Sequence, residues 1–85
     1  MGLGTTGFPG KDVVIRARER MRDVLHPHLG PVLALERANN IAQVLLLDTD
    51  EPEQVAAEML RGLAPAQQRS DLARAVCTAW KNTAG

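Results

Sequence analysis

Aromatic side chains are almost missing from this sequence: Phe8 and Trp80 are the only two, and there is no tyrosine. A core must therefore be built from Leu, Val, Ile, Met and many Ala residues, which let helices approach closely. Long strands, which favour β-branched and aromatic residues, are not expected. Cysteine is reduced to Cys77, so no internal disulfide can form. Net charge is missing as well, because ten basic residues balance ten acidic ones. The global field that draws proteins onto nucleic acid or acidic membranes is then lacking, and nucleic acid is a disfavoured partner. Neither a secretory signal nor an apolar run of about 18 residues is found, so a cytoplasmic protein, or a piece of one, with no membrane partner is expected.

What remains is ordinary for a folded domain: 85 residues, 45% hydrophobic and 24% charged. A chain of this mass buries roughly 60 to 65% of its unfolded surface, enough for one hydrophobic core and no second. Residues 1–10 hold four Gly, two Thr and one Pro, too much backbone entropy for a helix, and are expected to form a flexible leader. Residues 11–85 then make a single helical domain. Gly10-Lys11 does not complete a phosphate-binding loop, since Thr5 stands where that motif needs Gly and Asp12 where it needs Ser or Thr.

The hydrophobic period is helical throughout. Val13, Val14, Ala17, Met21, Val24 and Leu25 fall within about 120° of one helix face, from Lys11 onward. His26 to Pro31 should stop this helix, because Pro27 disfavours the helical conformation at His26 and Gly30 relaxes the backbone. Pro31 suits the first turn of a second helix reaching Leu47. It places Ala34, Leu35, Ala38, Ile41, Ala42 and Leu45 on one face and Glu36, Asn39, Asn40 and Gln43 opposite. Val44 to Leu47 are apolar all round, as in a helix surrounded by others, and a break at Asn39 and Asn40 is the alternative. Asp50 and Glu53 have capping-box spacing for a short third helix that buries Val55, Ala56, Met59 and Leu60 and ends at Gly62. Pro65 opens a fourth, with Leu72, Ala73, Val76, Ala79 and Trp80 in one stripe, running to about Asn82. The expected fold class is all-α, a compact antiparallel bundle of about four short helices.

No catalytic, cofactor or metal constellation emerges, so an enzyme is not expected. His26 and His28 flank a proline without further ligands and read as solvated turn residues. Cys77 reads as a small buried hydrophobe and Trp80 as a core residue, with a peptide groove as its other reading. Ile15 and Leu47 fall off the main faces of their helices.

The charge layout is the one non-generic feature. Arg16, Arg18, Arg20 and Arg22 crowd the first helix, whereas Asp48, Asp50, Glu51, Glu53 and Glu58 follow one another without a basic residue between them. Solvated faces and helix-dipole matching account for part of this. The sharper expectation is a partner-binding surface made of Arg16, Arg20 and Arg22 on one side and Asp50, Glu51 and Glu53 on the other. The stretch Asn40-Ile41-Ala42-Gln43-Val44-Leu45-Leu46-Leu47-Asp48, with Met59-Leu60 and Arg69-Ser70, resembles in part the peptide-binding MLLE domain of cytoplasmic poly(A)-binding proteins. It departs from that signature at Asn40, Gln43 and Leu47, where the family has Lys, Gly and Glu, so no peptide site is carried over. In architecture alone the chain also resembles death-fold adaptors, which associate through complementary charged faces. The expected function is a noncatalytic interaction domain that binds a protein or another copy of itself. The alternative is a small helix-turn-helix regulator whose Arg-rich helix touches DNA phosphates.

Overall fold

A computed structural model describes residues 10–47 and 50–84. The expected leader therefore lies, apart from Gly10, outside the described residues. The fold is all-α: α1 (Lys11–Leu46), α2 (Pro52–Met59) and α3 (Ala66–Thr83). Among the described residues the only β feature is an isolated bridge between Arg61 and Ala64, in the turn after α2.

The first helix is not straight. Gly30 has φ 82° and ψ 170°, a region that essentially only glycine enters. Residues 11–29 form one arm and 31–46 the other. In a straight helix Arg18 and Asn39 would stand about 31 Å apart along the axis. Instead Arg18 Nη1 donates a 2.7 Å hydrogen bond to Asn39 Oδ1. The chain thus reverses at Gly30, and α1 is a hairpin of two helical arms.

The break falls within the expected stretch His26 to Pro31, but at Gly30 and not at Pro27. The backbone stays helical through Pro27 to Leu29, a single residue makes the turn, and the first two of the four expected helices run together as the arms of α1, which leaves three elements. Pro27 withholds the amide that would bond to the carbonyl of Asp23. Burial compensates, since Leu25 is fully buried and Leu29 packs against the core on the same turns. Pro31 begins the second arm, where its missing amide costs little. That arm runs unbroken through Asn39 and Asn40. Asn39 spends its side-chain oxygen on Arg18 and does not compete with its own backbone.

The second arm buries Ala34, Ala38, Ile41 and Ala42 and half-buries Leu45, as its spacing predicts. Leu35 departs from expectation. It lies only about 20° round the helix from the buried Ala42, but two turns nearer the hinge, on the wall of the cleft that opens there, and is 53% exposed. Nor is the arm's end enclosed on every side: Leu47 is the C-cap residue beyond the packed turns and stays exposed.

At α2 the expected capping box is absent. Pro52 occupies the start of the helix, so the N-cap falls on Glu51, and no side chain caps it. Gly62, with φ 83°, supplies the left-handed residue that follows α2. Pro65 is the N-cap of α3, whose Leu72, Ala73 and Val76 are buried.

Both arms of α1, α2 and α3 meet in one core, with Met21, Leu25, Ile41, Leu60 and Val76 as its largest fully buried side chains. Ala17, Ala34, Ala38, Ala42, Ala56 and Ala73 make up half of the buried apolar residues. Such small contacts favour the short end of the usual interaxial range, about 8 Å. Cys77, Ala79 and Trp80 pack against this core, partly buried.

The turn at Gly30 depends on its backbone and not on space, because a Cβ built there meets nothing within 4 Å. Gly30→Ala should cost about 1 to 3 kcal/mol. Gly30→Asn should recover none of it, since Asn tolerates the left-handed helical region and not this one. Urea midpoints of both variants equal to that of the native chain would show that the hinge adopts another conformation.

Candidate interaction surface

The helical repeat decides which charged side chains share a face. Arg16 and Arg20 are four residues apart, both exposed, on the side of the first arm away from the buried Ala17, Met21 and Leu25. Arg22 lies about 200° round the helix from Arg20. The expected basic set is therefore divided, and Arg22 belongs with Arg18 on the flank that meets the second arm. Sequence reasoning counted Arg18 among the basic residues without giving it a site. The signal was its four-residue spacing from Arg22, but its partner Asn39 became visible only with the hairpin.

Arg22 Nη2 lies 3.2 Å from Asp23 Oδ1. Of the expected acidic set, Asp50 and Glu51 are exposed just before α2, and Glu53 stands in its first turn. Glu53 Oε1 is 3.9 Å from Arg74 Nε of α3, and Glu58 Oε1 is 3.5 Å from Arg61 Nη1. All of these groups are well exposed, so each pair contributes little, about 0 to 1 kcal/mol. Asp48 lies outside the described residues.

The apolar surface is distributed unevenly. Ile15, Val32, Leu33, Leu35 and Leu47, the exposed large hydrophobic residues among those described, all belong to α1 or its C-cap. Val32 is the most exposed within the helix, at 76%. Beside it a cleft of ≈ 580 Å³ opens between the two arms at the hinge, lined by Arg22, Asp23, His26, Pro27, Pro31 and Leu35. His26 is solvent-exposed, as expected, but it lies in the helical first arm at the edge of this groove and not in a turn. A smaller cleft of ≈ 230 Å³ separates α2 from the start of α3, with Arg61, Arg69 and Ser70 on its walls. Arg37, on another side of the second arm, has a buried Nε without a hydrogen-bond partner while its Nη1 lies 3.7 Å from Glu36 Oε1.

Among the described residues no group of three or more His, Cys, Asp or Glu side chains is placed to hold a metal ion, and no helix is long and apolar enough to cross a membrane. The chain matches no protein-family model, no curated protein and no solved structure.

Cys77 has its thiol pushed up to about 11, first by burial and then by the carboxylate of Glu53. Burial and a negative neighbour both disfavour the thiolate, the form that attacks electrophiles. Alkylation of Cys77 by iodoacetamide should be much slower at neutral pH than that of a free thiol and should climb until about pH 11. Because the folded value is the higher one, the thiol's contribution to stability is complete below the ordinary value of 9.0 and is lost as pH rises toward about 11. Glu53→Gln should lower the midpoint of the alkylation profile by the smaller of the two effects. A profile indistinguishable from that of a free thiol would place Cys77 in solvent.

Proposed function

We propose that this chain is a noncatalytic, cytoplasmic protein-interaction domain that binds a protein partner or another copy of itself through complementary charged helix faces. The observation that supports this best is the confinement of exposed large hydrophobic residues to α1, the element that also carries Arg16, Arg20 and Arg22. Leu35 stands with Arg22, Asp23 and His26 on the wall of the cleft at the hinge, and a mixture of apolar and charged groups is the usual composition of a binding surface.

Self-association is the most concrete form of this reading. Arg16, Arg20 and Arg22 come from the first arm, and Asp50, Glu51 and Glu53 from the approach to α2, so each copy offers both signs of charge. The contacts Arg22 to Asp23 and Glu53 to Arg74 are exposed. An intermolecular pair replaces contacts of this kind at small cost.

Sedimentation velocity tests this directly. The native chain should associate at low ionic strength and dissociate as salt approaches physiological levels, where the Debye length is about 8 Å. Glu51→Lys with Glu53→Lys should weaken the contact and leave the fold intact, and an Arg16→Glu, Arg20→Glu copy mixed with it should restore association. A native chain that stays monomeric at high concentration and low salt contradicts the homotypic form. Binding to a purified partner that ignores both salt and these reversals contradicts the electrostatic form.

A further inference from the structure

The two arms of α1 carry one continuous pattern. Arg18, Leu25, Val32, Asn39 and Leu46 stand at seven-residue spacing, and Met21, His28, Leu35 and Ala42 repeat it three residues further on. This is the heptad that joins helices along a seam, and it runs through Gly30 without a change of phase. The hairpin uses only part of it. Met21, Leu25 and Ala42 are buried, and Arg18 bonds to Asn39 across 21 positions, three whole repeats. Near the turn, where a cleft parts the arms, Val32, Leu35 and His28 of the same seam are left exposed.

We infer that this seam takes a second copy of the chain by exchange of the first arm: α1 opens at Gly30 into one continuous helix, and two such helices pair antiparallel. The inference goes beyond the charged-face reading and does not depend on it. In an antiparallel pair the two sets of the repeat face each other across the seam. A register centred on Gly30 sets Leu25 opposite Leu35, His28 opposite Val32 and Met21 opposite Asn39 of the other copy. Arg18 then stands three residues along from the other copy's Asn39 and keeps its hydrogen bond, now between chains. Each half of the pair reproduces the hairpin, with the first arm of one copy against the second arm, α2 and α3 of the other. Core residues keep their neighbours, and Val32 and Leu35 gain partners. Two backbone features hold the single chain closed. Gly30 precedes a proline, which pushes it away from the helical region, and in a continuous helix the Pro31 ring meets the carbonyl of Pro27. A one-residue connection is also the kind that invites exchange. Because the first arm must leave its core to exchange, the step is slow, and the native chain folded at micromolar concentration stays closed.

The test refolds the full chain from urea at millimolar concentration and follows it by sedimentation velocity after dilution. The native chain should yield a minor dimer that outlasts dilution and persists in molar salt. Gly30→Ala with Pro31→Ala, which favours the continuous helix, should be mostly dimer where the native chain is mostly monomer, and Pro31→Ala alone should move the fraction the same way. Val32→Ser with Leu35→Ser, added to that variant, should reduce the dimer at least about tenfold, as loss of central apolar contacts does. Leu47→Ser, an exposed change off the seam, should leave it within about twofold. Thermal melts by circular dichroism at low concentration confirm that the serine variants fold. In the Cys77→Ser background, one copy of the Gly30→Ala, Pro31→Ala chain spin-labelled at Arg16 and Gln43 is diluted into unlabelled chains. Its two labels should then lie about 40 Å apart along one straight helix. The inference is overturned by any of four results: no persistent dimer from the native chain, a variant that stays monomeric, a dimer indifferent to the serine changes, or labels that keep the short hairpin distance within the dimer. A dimer made by the charged faces keeps that short distance and dissociates as salt rises. Either reading can therefore fail while the other stands.

Discussion

A single backbone conformation organises this molecule. With Gly30 at φ 82° and ψ 170°, a helix that would otherwise run straight for about 54 Å folds back on itself. Everything downstream relies on that reversal. It sets Met21 and Leu25 of the first arm in the same core as Ala34, Ala38 and Ile41 of the second, and it provides the interior against which α2 and α3 pack. The cost of the left-handed turn and of Pro27 within the helix is met by burial on both sides of it. Isolated helical arms of this length are marginal in water, so their stability comes from the apolar faces that the turn brings together.

The same reversal explains why one element exposes what the others hide. A hairpin has an inner face, toward α2 and α3, and an outer face. The inner face takes the alanines and the long aliphatic side chains, and the outer face retains Ile15, Val32 and Leu35 beside Arg18 and Arg22. Polar side chains alone would serve solubility better at those positions. The cleft at the hinge mixes Pro27, Pro31 and Leu35 with the Arg22 and Asp23 pair and His26. The ion pairs seen on the surface are short-range and exposed, so they leave the core to supply the stability.

Much of the architecture was legible in the residues, because helical spacing needs no tertiary information. The buried sides of α3, of the first arm and of most of the second follow from the apolar period, and Gly62 ends α2 in the left-handed region its position implies. Proline was the misleading signal. Pro27 reads as a stop in isolation, yet the cost of one missing hydrogen bond is smaller than the gain from burying Leu25 and packing Leu29, and no local rule weighs the two. Pro52 displaced the expected cap at Asp50 for the complementary reason, by taking the first helical position itself. The surface was less legible still. Arg16, Arg20 and Arg22 are close in sequence, but the repeat turns Arg22 away from the other two, and its pairing with the second arm's Leu35 across the cleft appears only once the chain has reversed. Leu35 shares a helix face with Ala38 and Ala42, yet it stands at the hinge end of that face, where the cleft leaves it half exposed.

The reversal at Gly30 can be measured without reference to any partner. In a Cys77→Ser background, which removes the native thiol, spin labels at the exposed positions Arg16 and Gln43 report the relation of the two arms by pulsed electron resonance. A straight helix separates these positions by about 40 Å along its axis. Arms packed at ordinary interaxial distance, with allowance for the label side chains, give about 15 to 25 Å. A single narrow distribution in the shorter range is expected. A population centred near the longer distance would contradict the hairpin, and with it the groove between its arms.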